Sequence, residues 1–438
     1  MPAIVPRIIV LTVSEPLIAL LIFVVTYVLL ATEYREATIA TMAGVAAIWA
    51  FGILTPEEMI SYVDINAIGL LFGTMIIVGA LREARFFQWV GIAMAKWCRS
   101  RPTYLLVVFT LVTGGLSALL PNVTTVLFMV TVTIAIAELL KLDPKPFILS
   151  EIFASNIGGV ATLIGDPPNI MIATATGFSF LEFLANLGLI SVLALFITLA
   201  YIWRKFRNSM NSASTLSAQQ ESTTLLKMPD MTADRRLLWT GLATLVCTVA
   251  LFCLQDIVGI YPTTVALLAA TVLLLVGGRK MPDILRDVEW STLLFFGSLF
   301  IVVGALEKTG WMGSAAQAIL GFAGGNTPFG VSVVLWSFSL MSAFINNIPL
   351  AAAFIPVLKS LGNVSGLNVY PFWWALAAGT GLGGNGTIIG ASSNVIAIGL
   401  ARSKGVRITF VEFAKIGMIA LVLTTLVANS ILLLKFLV

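Results

Sequence analysis

Residues 117 to 169 recur in outline 225 positions further along the chain, and most of the residues that recur are polar or conformationally special. Ser117, Ala118 and Asn122 return as Ser342, Ala343 and Asn347, and Pro146-Phe147 returns as Pro371-Phe372. The run Gly158-Gly159-x-x-Thr162-x-Ile164-Gly165-x-x-x-Asn169 returns as Gly383-Gly384-x-x-Thr387-x-Ile389-Gly390-x-x-x-Asn394. Gly79-Ala80-Leu81 is matched by Gly304-Ala305-Leu306. Two halves that keep Asn, Thr and Gly in step inside apolar segments are the mark of a membrane transporter built from a structural repeat, with paired interruptions at its binding site.

Composition supports a chain that lives in lipid. It is 59% hydrophobic and 11% charged, with a mean hydropathy of +1.01. Apolar segments of about 20 residues, enough to cross about 30 Å of hydrocarbon as helix, follow one another. One soluble core could not hide so much apolar surface, which argues against a soluble enzyme. Cys98, Cys247 and Cys253 have no ligand-type spacing, and histidine is absent. The sequence shows no nucleophile–base pair, metal cluster or phosphate-binding loop, so no catalysis, metal, cofactor or nucleic acid is expected. The first apolar stretch, about 8–31, is too long for a signal peptide and has a counterpart at 237–255. It reads as a retained helix.

The longest polar stretch, rich in Ser, Thr, Gln and Met, divides the chain into a first half at 1–203, a linker at 204–236 and a second half at 237–438. In the first half, spans are expected at 8–31, 37–54 and 65–83, with an interfacial amphipathic piece at 86–97. Two short arms at 103–120 and 123–139 meet at Pro121-Asn122. A span broken at Gly165-Asp166-Pro167-Pro168 covers 147–176, and a last span 184–203. The second half repeats this at 237–255, 263–278, 291–307, 311–322, 328–345, 348–361, 371–401 and 412–437. The expected fold is therefore an all-α polytopic membrane protein of two inverted repeats. Each has five transmembrane helices, one of them broken, and a re-entrant helical hairpin.

Charge decides how the arms are read. If each arm pair enters and leaves on one side, 21 of the 25 basic residues share one face, leaving Arg7, Lys308, Lys359 and Lys435 opposite. If each pair crosses fully, the basic loops scatter to both faces. The positive-inside rule then makes the crowded face cytoplasmic. Both termini are expected outside and the linker inside.

Four places carry irregular backbone at membrane depth: the tips at Asn122 and Asn347, and the breaks at Gly165 and Gly390. Such backbone is tolerated only inside protein or beside a wet cavity. Helix N-termini supply free N–H groups there, and unwound carbonyls supply oxygen ligands. Asn122, Thr124, Thr125 and Asn347 on the tips, with Thr162, Asn169, Thr387, Ser392, Ser393 and Asn394 at the breaks, are the expected substrate ligands. Gly165 and Gly390 allow close approach of backbone. Asp166 faces Ala391 in the repeat, so the architecture does not require an acid there. An ionisable group in a membrane is costly and reads as functional. Asp166 is expected to carry a proton or hold a cation, although an N-cap for the following half-helix would also place an Asp there. Glu151, matched by Leu376, could extend a proton path. Glu182 and Glu412 open their helices, where the dipole favours them. Phe86-Phe87 and Trp373-Trp374 are expected as interfacial anchors.

The pair Asn156-Ile-Gly-Gly-Val-Ala-Thr-Leu-Ile-Gly-Asp-Pro-Pro-Asn169 and Leu382-Gly-Gly-Asn-Gly-Thr-Ile-Ile-Gly-Ala-Ser-Ser-Asn394 resembles the ion transporter superfamily. The match is nearest to its arsenite permease and melanosomal P-protein branch and more distant to the divalent anion/sodium symporters. The resemblance implies two hairpins, two broken helices, a transport domain moving against a scaffold, and a homodimer. It also allows an ATPase subunit, as in some arsenite pumps. The tips here read Pro121-Asn122-Val123-Thr124 and Asn346-Asn347-Ile348-Pro349, without the Ser-Asn-Thr motifs of the sodium–carboxylate branch. With no Lys or Arg at the tips and Asp166 beside them, the expected substrate is a neutral hydroxylated solute. The reading is proton-coupled efflux of arsenite or antimonite across the cell membrane. A sodium/proton antiporter and a sodium-coupled carboxylate carrier are the alternatives.

Overall fold

The computed structural model describes residues 14–32, 35–98, 101–213, 235–277, 283, 286, 288–314, 317, 327–365 and 368–437. No strand occurs among them. The first half comprises α1 (Glu15–Thr32), α2 (Ala37–Ala50), α3 (Pro56–Tyr62), α4 (Ile65–Glu83), α5 (Phe86–Trp97), α6 (Pro102–Ser117) and α7 (Asn122–Leu139). It continues with α8 (Lys145–Val160), α9 (Pro167–Thr176), α10 (Phe180–Phe183) and α11 (Leu189–Ala213), the last two joined by a π turn at Leu184–Gly188. The second half comprises α12 (Arg235–Cys253), α13 (Gln255–Val258), α14 (Pro262–Gly277), α15 (Trp290–Lys308), α16 (Thr327–Ser342) and α17 (Asn347–Ser365). It ends with α18 (Tyr370–Gly383), α19 (Ser392–Ser403) and α20 (Phe410–Leu437). Seven described helices are long and apolar enough to cross a membrane. The chain is a multi-pass membrane protein.

Local chemistry sets the helix ends. Proline opens α3, α6 and α9, where its missing N–H costs nothing. Thr55 with Glu58, and Ser179 with Glu182, form reciprocal capping boxes. Thr409 and Glu412 exchange similar bonds at the start of α20. Gly177, with φ +78°, stops α9 in a conformation that favours glycine.

The repeat appears in the structure as hydrogen bonds that recur with the same offset. Ser117 Oγ donates to the Ser155 carbonyl at 2.7 Å, and Ser342 Oγ to the Thr380 carbonyl at 2.6 Å. Thr162 donates to the Ala118 carbonyl, and Thr387 to the Ala343 carbonyl. Asn169 Nδ2 reaches the Thr162 carbonyl at 2.8 Å, and Asn394 Nδ2 the Thr387 carbonyl at 2.9 Å. The halves also interlock: α7 packs on α19, and α17 on α9. Helix association in lipid depends on close packing of small residues, because lipid tails are as apolar as leucine. Accordingly, Gly158 rests on the Gly114 backbone and Gly383 on the Ser339 backbone.

Three expectations change. Helix α11 runs on to Ala213, into the segment expected as linker, because Arg204–Ala213 holds no proline or glycine; 214–234 lies outside the described residues. So do residues 1–13 and most of the expected interfacial piece at 311–322. The aromatic pairs are not interfacial anchors. Phe86, Phe87, Trp373 and Trp374 are all buried. Trp374 stacks on Phe178 at 4.8 Å between ring centroids and meets Phe183 and Tyr370 edge-on. Each such pair adds about 0.5–1.5 kcal/mol beyond its area. The short helices α3 and α13 were not anticipated at all, since neither is long enough to show a period.

Gly158→Ala and Gly383→Ala each force a methyl into backbone. Each is expected to lower the melting temperature of the detergent-solubilised protein by the equivalent of about 1–3 kcal/mol. Gly115→Ala, where a methyl meets open space, should leave it unchanged.

Candidate functional site

The two hairpin tips meet at the first helix break. After α6 ends, the chain turns through Ala118–Pro121, and α7 begins at Asn122, whose N–H donates to the Gly165 carbonyl at 3.2 Å. Its carbonyl accepts from Ser155 Oγ at 3.1 Å. These bonds tie the tip to the break and aim the amide of Asn122 at Asp166. Asn122 Nδ2 donates to Asp166 Oδ1 at 3.2 Å. From the other half, Asn347 Nδ2 donates to Asp166 Oδ1 at 3.1 Å and Oδ2 at 3.0 Å. Asp166 is 1% exposed, and Asn122 and Asn347 are 3% exposed.

Asp166 occupies the N-cap position of α9 with an extended backbone, yet its carboxylate makes no capping bond. Pro168 at the second helical position has no N–H to offer, and the N–H of Asn169 is taken by the Asp166 carbonyl at 3.0 Å. The capping alternative therefore fails, and the carboxylate faces the two tips instead. Residues Asn122, Pro167 and Asn347 open α7, α9 and α17, so three helix N-termini converge on one carboxylate. Their partial positive charges oppose the cost of burying it.

Asp166, Asn122 and Asn347 form part of the wall of a cavity of about 500 Å³. Asn346 and Ser392 line it too, bonded to each other at 2.8 Å. At the more exposed part of the wall lie Arg35, Glu36, Thr38, Glu289 and Ser291. Thr38 bonds to the Ser291 carbonyl at 2.9 Å and so fixes α2 beside α15. Among the described residues the charged lining is one guanidinium against three carboxylates, a balance that favours neutral or cationic guests over polyanions. Among the described residues no group of three His, Cys, Asp or Glu could hold a metal.

The remaining expected residues have other places. Thr162, Asn169, Thr387 and Asn394 do not line the cavity. Their side chains bond to backbone carbonyls and brace the two breaks. Gly165 supplies the carbonyl that holds Asn122, and Gly390 ends a 3-10 turn at Ile388–Gly390. Thr124 reaches Glu289 at 3.4 Å, while the Thr125 hydroxyl is buried without a partner among the described residues. Glu151 stands apart from the cavity, accepting from the Thr133 hydroxyl at 2.6 Å, its other oxygen without a partner among the described residues. Asn156 donates to Asn385 and Asn394 at 3.0 and 2.9 Å and accepts from Ser393 at 2.9 Å, linking the two broken helices. Sequence reasoning missed Glu289, Arg35, Glu36, Asn346 and Asn385 as parts of this region. Asn346 adjoins a flagged tip residue, but its repeat partner is Pro121, so the repeat gave it no weight.

Removing the amide of Asn347 leaves one Asp166 oxygen without a donor, which costs about 1–3 kcal/mol for a buried polar atom. Asn347→Ala should lower the melting temperature accordingly in the native chain and far less in an Asp166→Ala background. Equal losses in both backgrounds would mean that the bond carries no coupling.

A family model described as "Citrate transporter" (CitMHS) matches residues 27–379. An uncharacterized transporter of Mycobacterium tuberculosis is 37% identical over 427 residues, covering 96% of this chain and 99% of the relative. The P protein of Sus scrofa is 30% identical over 501 residues, covering 96% of this chain and 59% of that protein. Among solved structures, the YdaH transporter of Alcanivorax borkumensis is similar in fold, with a TM-score of 0.59 at 14% identity, covering 96% of this chain and 98% of that one. The expected resemblance to the ion transporter superfamily holds at this level. The chain is a membrane transporter that belongs to the CitMHS citrate transporter family.

Proposed function

We propose that this transporter is a proton-coupled secondary carrier that exports a small uncharged hydroxylated solute, with arsenite or antimonite as the substrates to test first. One observation carries the reading: the carboxylate of Asp166 is clamped by the amides of both hairpin tips on the wall of the cavity. A proton placed on Asp166 adds a donor where three N–H donors already point, so protonation weakens the link between the halves. That couples proton binding to tip movement, as alternating access requires. One proton crossing about 100 mV supplies about 2.3 kcal/mol, enough for a roughly fiftyfold gradient of a neutral solute.

The lining supports an uncharged guest. Asn122, Asn346, Asn347 and Ser392 offer amide and hydroxyl groups, and among the described residues of the lining carboxylates outnumber guanidinium groups. Glu151, buried with an unpartnered oxygen, is the second coupling carboxyl of this reading. The halves are inverted repeats, with both termini outside and the Arg35 loop on the cytoplasmic side. The cavity then opens inward in the state described. A second copy of the chain and an ATPase subunit are the partners this reading allows.

Citrate transport is the second reading, favoured by the description of the family model. The three lining carboxylates count against a trianion unless cations accompany it.

Flux into proteoliposomes separates the two readings. With an imposed proton gradient, arsenite should accumulate in vesicles containing the native chain, and Asp166→Asn should reduce that flux to the level of empty vesicles. Citrate flux without any response to arsenite removes the arsenite reading. Full proton-driven arsenite flux by Asp166→Asn removes the assigned role of Asp166.

A further inference from the structure

The wall of the same cavity carries a second carboxylate that the repeat singles out. Glu289 directly precedes α15 and corresponds, 225 residues on, to Asp64 before α4. Asp64 behaves as an acid at a helix start ordinarily does, its Oδ1 accepting from the Ala67 N–H at 3.0 Å. Glu289 makes no capping bond to the backbone of α15. With one more methylene it reaches the cavity instead. There its Oε2 accepts from the Thr292 hydroxyl at 3.1 Å and its Oε1 from Thr124, on the first hairpin tip, at 3.4 Å.

Acceptor capacity separates the two acids. An ionised carboxylate offers about four lone-pair positions. Asp166 spends three of them on buried amides. Glu289 is half-buried and receives two hydroxyls, one of them long, and a hydroxyl rotates away freely. A donor group on an incoming solute therefore finds open acceptor positions at Glu289, whereas those of Asp166 are nearly filled. Among the described residues, Arg35 and Glu36 are the other charged groups on this lining.

We infer that Glu289 is the solute-contacting carboxylate of the cavity: it accepts the hydroxyl or N–H groups of uncharged or cationic solutes and turns away carboxylate anions, leaving Asp166 to coupling. This rests on the reading of the cavity as the transport site. Thr124 holds the carboxylate when no solute is present and yields it when one arrives.

The test is direct binding of citrate and of arsenite to purified full-length protein in detergent, for the native chain, Glu289→Gln, Glu289→Asp and Thr124→Val. Each variant is first required to unfold cooperatively near the native melting temperature. Removing one negative charge from the cavity should tighten citrate binding by about tenfold. The same substitution should weaken arsenite binding by about tenfold. Glu289→Asp keeps the charge and should shift citrate binding far less than Glu289→Gln does; Thr124→Val removes a contact to the carboxylate but no charge, and should also shift it far less. Citrate binding by Glu289→Gln that is no tighter than native, or absent from both, overturns the inference. So does a Thr124→Val chain that shifts citrate as Glu289→Gln does, since the cause would then be a disturbed tip and not charge. A native chain that ignores arsenite removes the arsenite reading alone, and the citrate comparison still judges Glu289.

Discussion

The bonds from Asn122 and Asn347 to Asp166 hold the two halves of this transporter in register at the cavity. Each tip sits at the start of a helix whose interior is apolar and generic, so the halves could slide past one another with little penalty. A buried carboxylate removes that freedom. Leaving any of its oxygens without a donor costs more than the bond gains, so the tips are held where the acid needs them. The braces at Thr162, Asn169, Thr387 and Asn394 then keep the unwound segments from collapsing into continuous helix. The site and the fold are stabilised by the same few polar contacts.

Much of this architecture was legible in the chain because the repeat is written in residues that lipid penalises. Asn122 and Asn347, or Gly165 and Gly390, would not keep their offset in an apolar background unless the backbone broke at both places. Helix boundaries at 65–83 and 86–97 followed from apolar length and flanking charge. What the chain did not reveal were features that the repeat does not share. Glu289 has an acidic repeat partner in Asp64, and only the structure shows that the two carboxylates take different partners. Trp373 and Trp374 looked like interface anchors, because a tryptophan's neighbours in space cannot be read from its neighbours in sequence. Arg35 and Glu36 are simply loop residues until α1, α2 and α15 are brought together.

Symmetry and its loss divide the labour between the halves. The braces are duplicated with nearly equal lengths, as expected of parts that must carry the same mechanical load in either half. The acids of the broken helices are not duplicated: Asp166 is matched by Ala391, and Glu151 by Leu376. A carrier with a carboxylate at both breaks would place two like charges near one buried point, and each would raise the cost of the other. One acid served by amides from both halves avoids this and keeps the symmetric frame.

The two prolines after Asp166 have a consequence for evolution of the site. An aspartate at a helix start is normally captured by the backbone N–H groups just ahead of it, and a captured carboxylate cannot face a partner elsewhere. Pro167 and Pro168 remove two of those groups from the sequence itself, so the acid is released towards the amides by covalent structure and not by packing. Any residue other than proline at 168 would restore a competitor within the same turn. The imino acids thus do as much as the two amides to orient the buried carboxylate.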